Sequence, residues 1–136
     1  MTATSRQTFD PDHVRDIVPG FHWGVKHRGF VFLAGQVGLD KDLKVVDGLE
    51  AQTRQALENI KEVLALAGSG PGDIIQLMIF YKHTPGLVLN DAVQEFVHIK
   101  NDVLPRSAPV GFACSVHELL DPAFLVEVQA VAVTDE

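Results

Sequence analysis

Only one cysteine, Cys114, occurs in 136 residues, so no internal disulfide can form and a reducing compartment is the natural setting. No apolar run approaches the roughly 20 residues of a membrane span. The stretch from Met1 to Asp12 lacks an apolar signal core, so a cytoplasmic location is expected rather than secretion. Positive charge is scarce too. Eleven Lys and Arg stand against 18 Asp and Glu, and the net charge is −7. The densest basic spot is Lys26-His27-Arg28. Nucleic-acid binding needs clustered Lys and Arg, so neither nucleic acid nor a membrane is an expected partner. There is no P-loop, no GxGxxG and no GxSxG. The six histidines (His13, His22, His27, His83, His98, His117) show no HxxxH or HxH spacing, so no metal site is expected.

What remains is ordinary for a globular chain, with 46% hydrophobic and 21% charged residues, and its length suits one domain with a real core. Residues 1–18 read as a loosely held arm and residues 19–136 as a single domain. Phe21 to Lys26 and Phe30 to Gln36 read as strands joined by a turn at His27 to Gly29. Along the second, Val31, Leu33 and Gly35 are expected on one face. "LKVVDG" reads as a short added strand. Ala56, Leu57, Ile60, Val63, Leu64 and Ala67 recur at helical spacing, predicting a helix from Leu49 to Ala67 with Gly68 as its cap. "IIQLMIFY" is a nearly continuous apolar run, expected to be a central strand covered on both faces. A second helix is expected from an Asn90 cap to a stop before Pro105, burying Val93, Phe96, Val97 and Val103. Val110 to His117 and Phe124 to Val133 close the chain as strands. The order ββαβαββ predicts an α+β fold, one sheet with both helices on one face. The other face then carries Leu125, Val131 and Val133, too apolar for water, so oligomerisation is expected.

Glu127 is the most informative single residue. A carboxylate among Leu125, Val126, Val128 and Val131 must find a partner, a water or a raised pKa, unless the position is a solvated edge. A raised pKa is what a general acid/base needs. Cys114 alternates with Phe112 and Val116, and His117, three residues on, points away in a strand; a small buried hydrophobe is expected there rather than a nucleophile. His22 and Trp23 follow Pro19-Gly20 at a strand start, either on a pocket rim or on a half-exposed strand.

Three stretches together resemble the Rid family, also called YjgF-type or reactive-intermediate deaminase proteins: "FVFLAGQVGLD", "QTRQALENIKEVLALAGSGPGDIIQLMIFY" and "FLVEVQAVAV". The closing "VHELLDPAFLVEVQAVA" is most similar to the aminomuconate deaminase branch. The resemblance implies a chorismate-mutase-like fold and a homotrimer with small-molecule pockets between subunits. It also implies hydrolysis of enamines or imines without metal or organic cofactor. Carried over by position, Glu127 matches a water-positioning glutamate and Cys114 a pocket cysteine. Gly35 lies in a matching pocket stretch, but Ala34 stands where the family has a serine. Phe21 stands where it has a tyrosine. The arginine that clamps the substrate carboxylate is missing; its place falls at Gly111 or Phe112.

Loss of a bidentate arginine should remove ordinary enamino-acid deamination. Arg106, in the loop "LPRSAP", could swing in to replace it, though a surface role is expected. Three readings follow. One is a divergent hydrolase with Glu127 retained, a less anionic substrate, and His22 or Trp23 in the pocket. Another is a non-catalytic binder of a small molecule or partner on the same trimer. The third is a ribonuclease or translation inhibitor, which the acidic charge argues against.

Overall fold

The computed structural model describes residues 5–135. Its elements are β1 (Gln7–Phe9), β2 (Gly24–His27), β3 (Phe30–Leu33), β4 (Gln36–Val37), α1 (Leu49–Leu66), β5 (Ile74–Lys82), α2 (Leu89–Val103), β6 (Val110–Val116) and β7 (Val126–Val133). The strands form one sheet in the order β1-β2-β3-β7-β5-β6, and β4 continues β3 along β7. All neighbours are antiparallel except β5 and β6, which α2 joins as a crossover.

Both helices lie on one face, as the order of elements predicts. Ala56, Leu57, Ile60, Val63 and Leu64 of α1 are fully buried against Val126, Val128, Ala130 and Ala132 of β7. The small alanines let α1 approach the sheet closely. Each large aliphatic side chain buried here contributes about 1.5–3 kcal/mol. Gly68 takes φ +75 and ends α1, with the Ser69 N–H donating to the Leu64 carbonyl. Tyr81 of β5 is buried beneath α2 and donates to the Ala92 carbonyl at 3.3 Å. Burial, followed by the charge of Glu95, pushes its phenol up to about 12.

Several expectations are corrected. Part of the expected arm is ordered: Gln7–Phe9 pairs with β2, and Phe9 packs against the core. Residues 1–4 of that arm lie outside the described residues. The strand expected from Phe21 begins only at Gly24, because the Asp10 carboxylate takes the Trp23 N–H at 3.0 Å in place of a ladder bond. "LKVVDG" makes a lone bridge, Leu39 to Val45. Helix α2 is capped by Val88, without a side-chain bond, and Asn90 falls inside its first turn. Its buried stripe is Ala92, Phe96, Ile99 and Val103; Val97, off that phase, is exposed. The final strand starts at Val126, after Phe124 and Leu125, and His117 lies beyond β6. Strand β5 is buried only on alternate residues, so its second face is open in the single chain.

The correction that matters most for the site lies between β3 and β4. Phe32 pairs with Val131, and Gln36 with Val128, so three residues between them, Leu33, Ala34 and Gly35, stand against two of β7, Ala130 and Gln129. The extra residue is a β-bulge at Ala34-Gly35. It turns Gln36 into the core and Gly35 out of it, so Gly35 does not share a face with Val31 and Leu33.

Gln52 holds the approach to β7. Its side chain is buried; Nε2 donates to the carbonyls of Val46 (3.1 Å) and Ala123 (2.9 Å), and Oε1 accepts from the Leu125 N–H (2.8 Å). Gln52→Ala strands three backbone groups, and urea denaturation should show a loss of about 3 kcal/mol. A loss below about 0.5 kcal/mol would mean that water replaces the amide.

Candidate active site

The sheet face away from the helices can be laid out from register alone, because directly paired residues share a face. Glu127 of β7 pairs with Phe80 of β5, and Phe80 with Cys114 of β6. One row along, Gln129 pairs with Met78, and Met78 with Phe112. On the other side of β7, Val37 pairs with Glu127. The Phe80 and Phe112 rings meet edge to face, 5.8 Å apart.

Glu127 is half-buried in this apolar setting, and burial alone raises its carboxyl above the usual range. Gly35 is what makes room for it. A methyl group built on Gly35 would sit 2.5 Å from Oε2 of Glu127. The bulge therefore places bare backbone under the carboxylate. The same bulge frees the Leu33 carbonyl, which accepts from Nε2 of Gln129 at 3.2 Å.

Of the residues read from the sequence, the fold brings together Glu127, Gly35, Phe112 and Cys114. Cys114 is half-buried, and no histidine is placed beside it by the register. Ala34 lies in the bulge, its N–H donating to the Trp23 carbonyl at 2.8 Å. Trp23 itself leaves this face. It packs against the core and lines a cavity of about 170 Å³ between α1 and the N-terminal turn, with His13, Asn59 and Glu62. His22 is turned to Asp10, with Nδ1 and Oδ2 2.8 Å apart. Burial raises the Asp10 carboxyl, but hydrogen bonds from His22 and the Trp23 N–H, with the charges of His22 and Arg15, outweigh it and hold the group below its ordinary value. Phe21 is 74% exposed.

Gly111 and Phe112 part company. A Cβ on Gly111 would overlap the Leu77 carbonyl oxygen of β5, so no side chain fits there. Phe112 is the one of the pair that faces the Glu127 side. Arg106 is exposed in the loop after α2, with φ +67. Sequence reasoning missed Phe80, Met78 and Gln129. "IIQLMIFY" marks a strand, but only pairing with β7 shows which of its residues meet Glu127.

Among the described residues, no three His, Cys, Asp or Glu side chains converge as metal ligands, and no helix is long and apolar enough to cross a membrane.

Residues 16–134 match the family described as Endoribonuclease L-PSP. A RutC family protein of Pyrococcus horikoshii is 32% identical over 111 residues, which cover 79% of this chain and 82% of that one. The 2-iminobutanoate/2-iminopropanoate deaminase of Salmonella typhimurium is 31% identical over 112 residues, 81% of this chain and 84% of its own. Among solved structures, a protein of unknown function of the Rid family from Yersinia pestis has a TM-score of 0.82 at 23% identity, covering 96% of this chain and all of that one. That last likeness shows a shared fold.

Proposed function

Because the chain belongs to the endoribonuclease L-PSP family, also known as the YjgF/RutC/Rid family, we propose that it hydrolyses an imine or enamine, with Glu127 positioning the attacking water. The observation that carries this reading is the Glu127 carboxylate, held half-buried over the bare backbone of Gly35 in an apolar face. A carboxylate raised by burial is a stronger base than a free one and can take a proton from an attacking water. Water adds to the C=N carbon, Glu127 receives its proton, and the same proton then goes to nitrogen. Collapse of the carbinolamine gives a carbonyl compound and ammonia. The curated Salmonella relative, named as an imine deaminase, supports the class of reaction.

The open face supports assembly into a trimer with pockets between copies. Phe30 is 44% exposed, Phe32 and Phe112 50%, and Val110 71%. An apolar sheet face of this extent is of the kind that subunit interfaces cover. Light scattering at micromolar concentration should give three chain masses; a monomer would refute this use of the face.

A non-catalytic binder on the same scaffold is the second reading. It is favoured by one observation: neither Gly111 nor Phe112 offers a cation to hold a substrate carboxylate. Ammonia release from freshly generated imines separates the two. The hydrolase reading expects turnover by wild type and its loss in Glu127→Gln. Ligand-induced rise of the melting temperature with no ammonia would favour the binder. The net charge of −7 works against a phosphate-bearing substrate such as RNA.

A further inference from the structure

We infer that the ligand taken at the Glu127 face is a cation with an apolar body and no carboxylate: an iminium derived from a simple amine rather than from an amino acid. This rests on the hydrolase reading for its chemistry, but its charge and shape argument stands on the face itself.

Among the described residues, register assigns the open face two charged groups, Glu127 and Lys82. Lys82 keeps its charge, but its Nζ is held at the Pro122 carbonyl, 2.6 Å away, and the shift of the Glu127 carboxyl comes from burial with no part from Lys82. His27 also falls on this face, but at its far end, opposite Phe30. Around Glu127 itself stand Val37, Phe80 and Cys114, with Met78, Gln129 and Phe112 in the next row. One carboxylate in such a setting attracts a cation and repels an anion, and poor solvation strengthens both effects. The edge-to-face pair Phe80–Phe112 adds ring faces, which favour apolar and cationic groups. Phe112, in the next row of this face, is uncharged, and Gly111 beside it admits no side chain.

An iminium meets these demands. Water attacks its carbon while one water proton passes to Glu127, and the C=N π pair moves to nitrogen. Glu127 returns the proton to nitrogen, and ammonia leaves as the C=O bond forms. The hydroxyl proton passes through Glu127 to ammonia, so iminium and water become a carbonyl compound and ammonium, with charge conserved. The reaction that supplies such a substrate is two-electron oxidation of an amine.

The test uses benzylammonium, a stable cation of suitable shape, against benzoate, its anionic counterpart, on the full chain by calorimetry and thermal shift. Benzylammonium should bind at least 10-fold more tightly than benzoate at pH 8. Its affinity should fall as pH drops through the raised Glu127 range, and fall at least 10-fold in Glu127→Gln. Phe112→Arg, at a half-exposed site away from the helix-side core, should reverse the preference. Benzoate binding as well as benzylammonium, no binding of either, or an indifferent Glu127→Gln each overturns the inference. Failure of the two readings is distinguishable. Turnover of 2-imino acids with no benzylammonium binding sinks the ligand class and keeps the hydrolase. Glu127-dependent benzylammonium binding with no imine turned over sinks the hydrolase and keeps the ligand class.

Discussion

Glu127→Gln is expected to lower imine hydrolysis by roughly 10²–10⁴-fold, the usual contribution of a positioned general base, with the fold intact. Glutamine keeps the shape and the contact with Gly35 but cannot accept a proton. The wild-type rate should fall on the acid side with an inflection above the ordinary glutamate range, because burial raises this carboxyl and the base must be ionised to work. In Glu127→Gln that inflection should vanish. Stability moves the opposite way. A carboxyl whose folded pKa is raised favours the fold while protonated, and loses that contribution as pH rises through the folded value. Above that value the ionised Glu127 is therefore a burden, and there Glu127→Gln should melt no lower than wild type. A variant with an unchanged rate, or an acid limb at the pKa of a free glutamate, would show that the carboxylate is a bystander.

Gly111→Ala is expected to destabilise the chain by about 3 kcal/mol, at the upper end of overpacking costs. The added methyl meets the Leu77 carbonyl oxygen, which is backbone in the middle of the sheet and cannot swing aside. One strand of the β5·β6 pair must shift, and the ladder from Gln76–Val110 to Lys82–Val116 with it. Phe112→Arg, one residue on, should cost far less. Its side chain is half exposed in the single chain, and the loss within one chain is confined to the ring contact with Phe80, about 0.5–1.5 kcal/mol. Urea denaturation of the two variants at equal protein concentration measures the contrast. Near-equal losses would mean that Gly111 has room after all.

The contrast between those neighbours shows how much of the site was legible. That neither of the two positions holds a cation is visible in the sequence. Which of them could carry a side chain toward Glu127 is not, because the obstacle at Gly111 is a carbonyl 34 residues away in the chain. His22 and Trp23 make the same point in reverse. In the sequence both fit a pocket rim or a half-exposed strand equally well, yet Asp10 ties down His22 and the Trp23 N–H, and Trp23 packs toward α1. The expected shared face of Val31, Leu33 and Gly35 failed because a bulge shifts the alternation by one residue, and a bulge of Ala34-Gly35 has no local mark beyond its glycine.

By itself the sequence determined the α+β class, helix α1 with its Gly68 end, the core face of β7, and Glu127 as the anomalous charge. All of these are local: helical spacing, strand alternation and a carboxylate between apolar neighbours are read within one segment. The tertiary structure alone decided that Gly35 lies under Glu127, that Phe80 stands between Glu127 and Cys114, and that Phe112 rather than Gly111 faces them. Those facts depend on register between strands far apart in the chain. A slip of one residue would turn every side chain to the opposite face, and burial of the whole helix-side core is what selects the register that is seen.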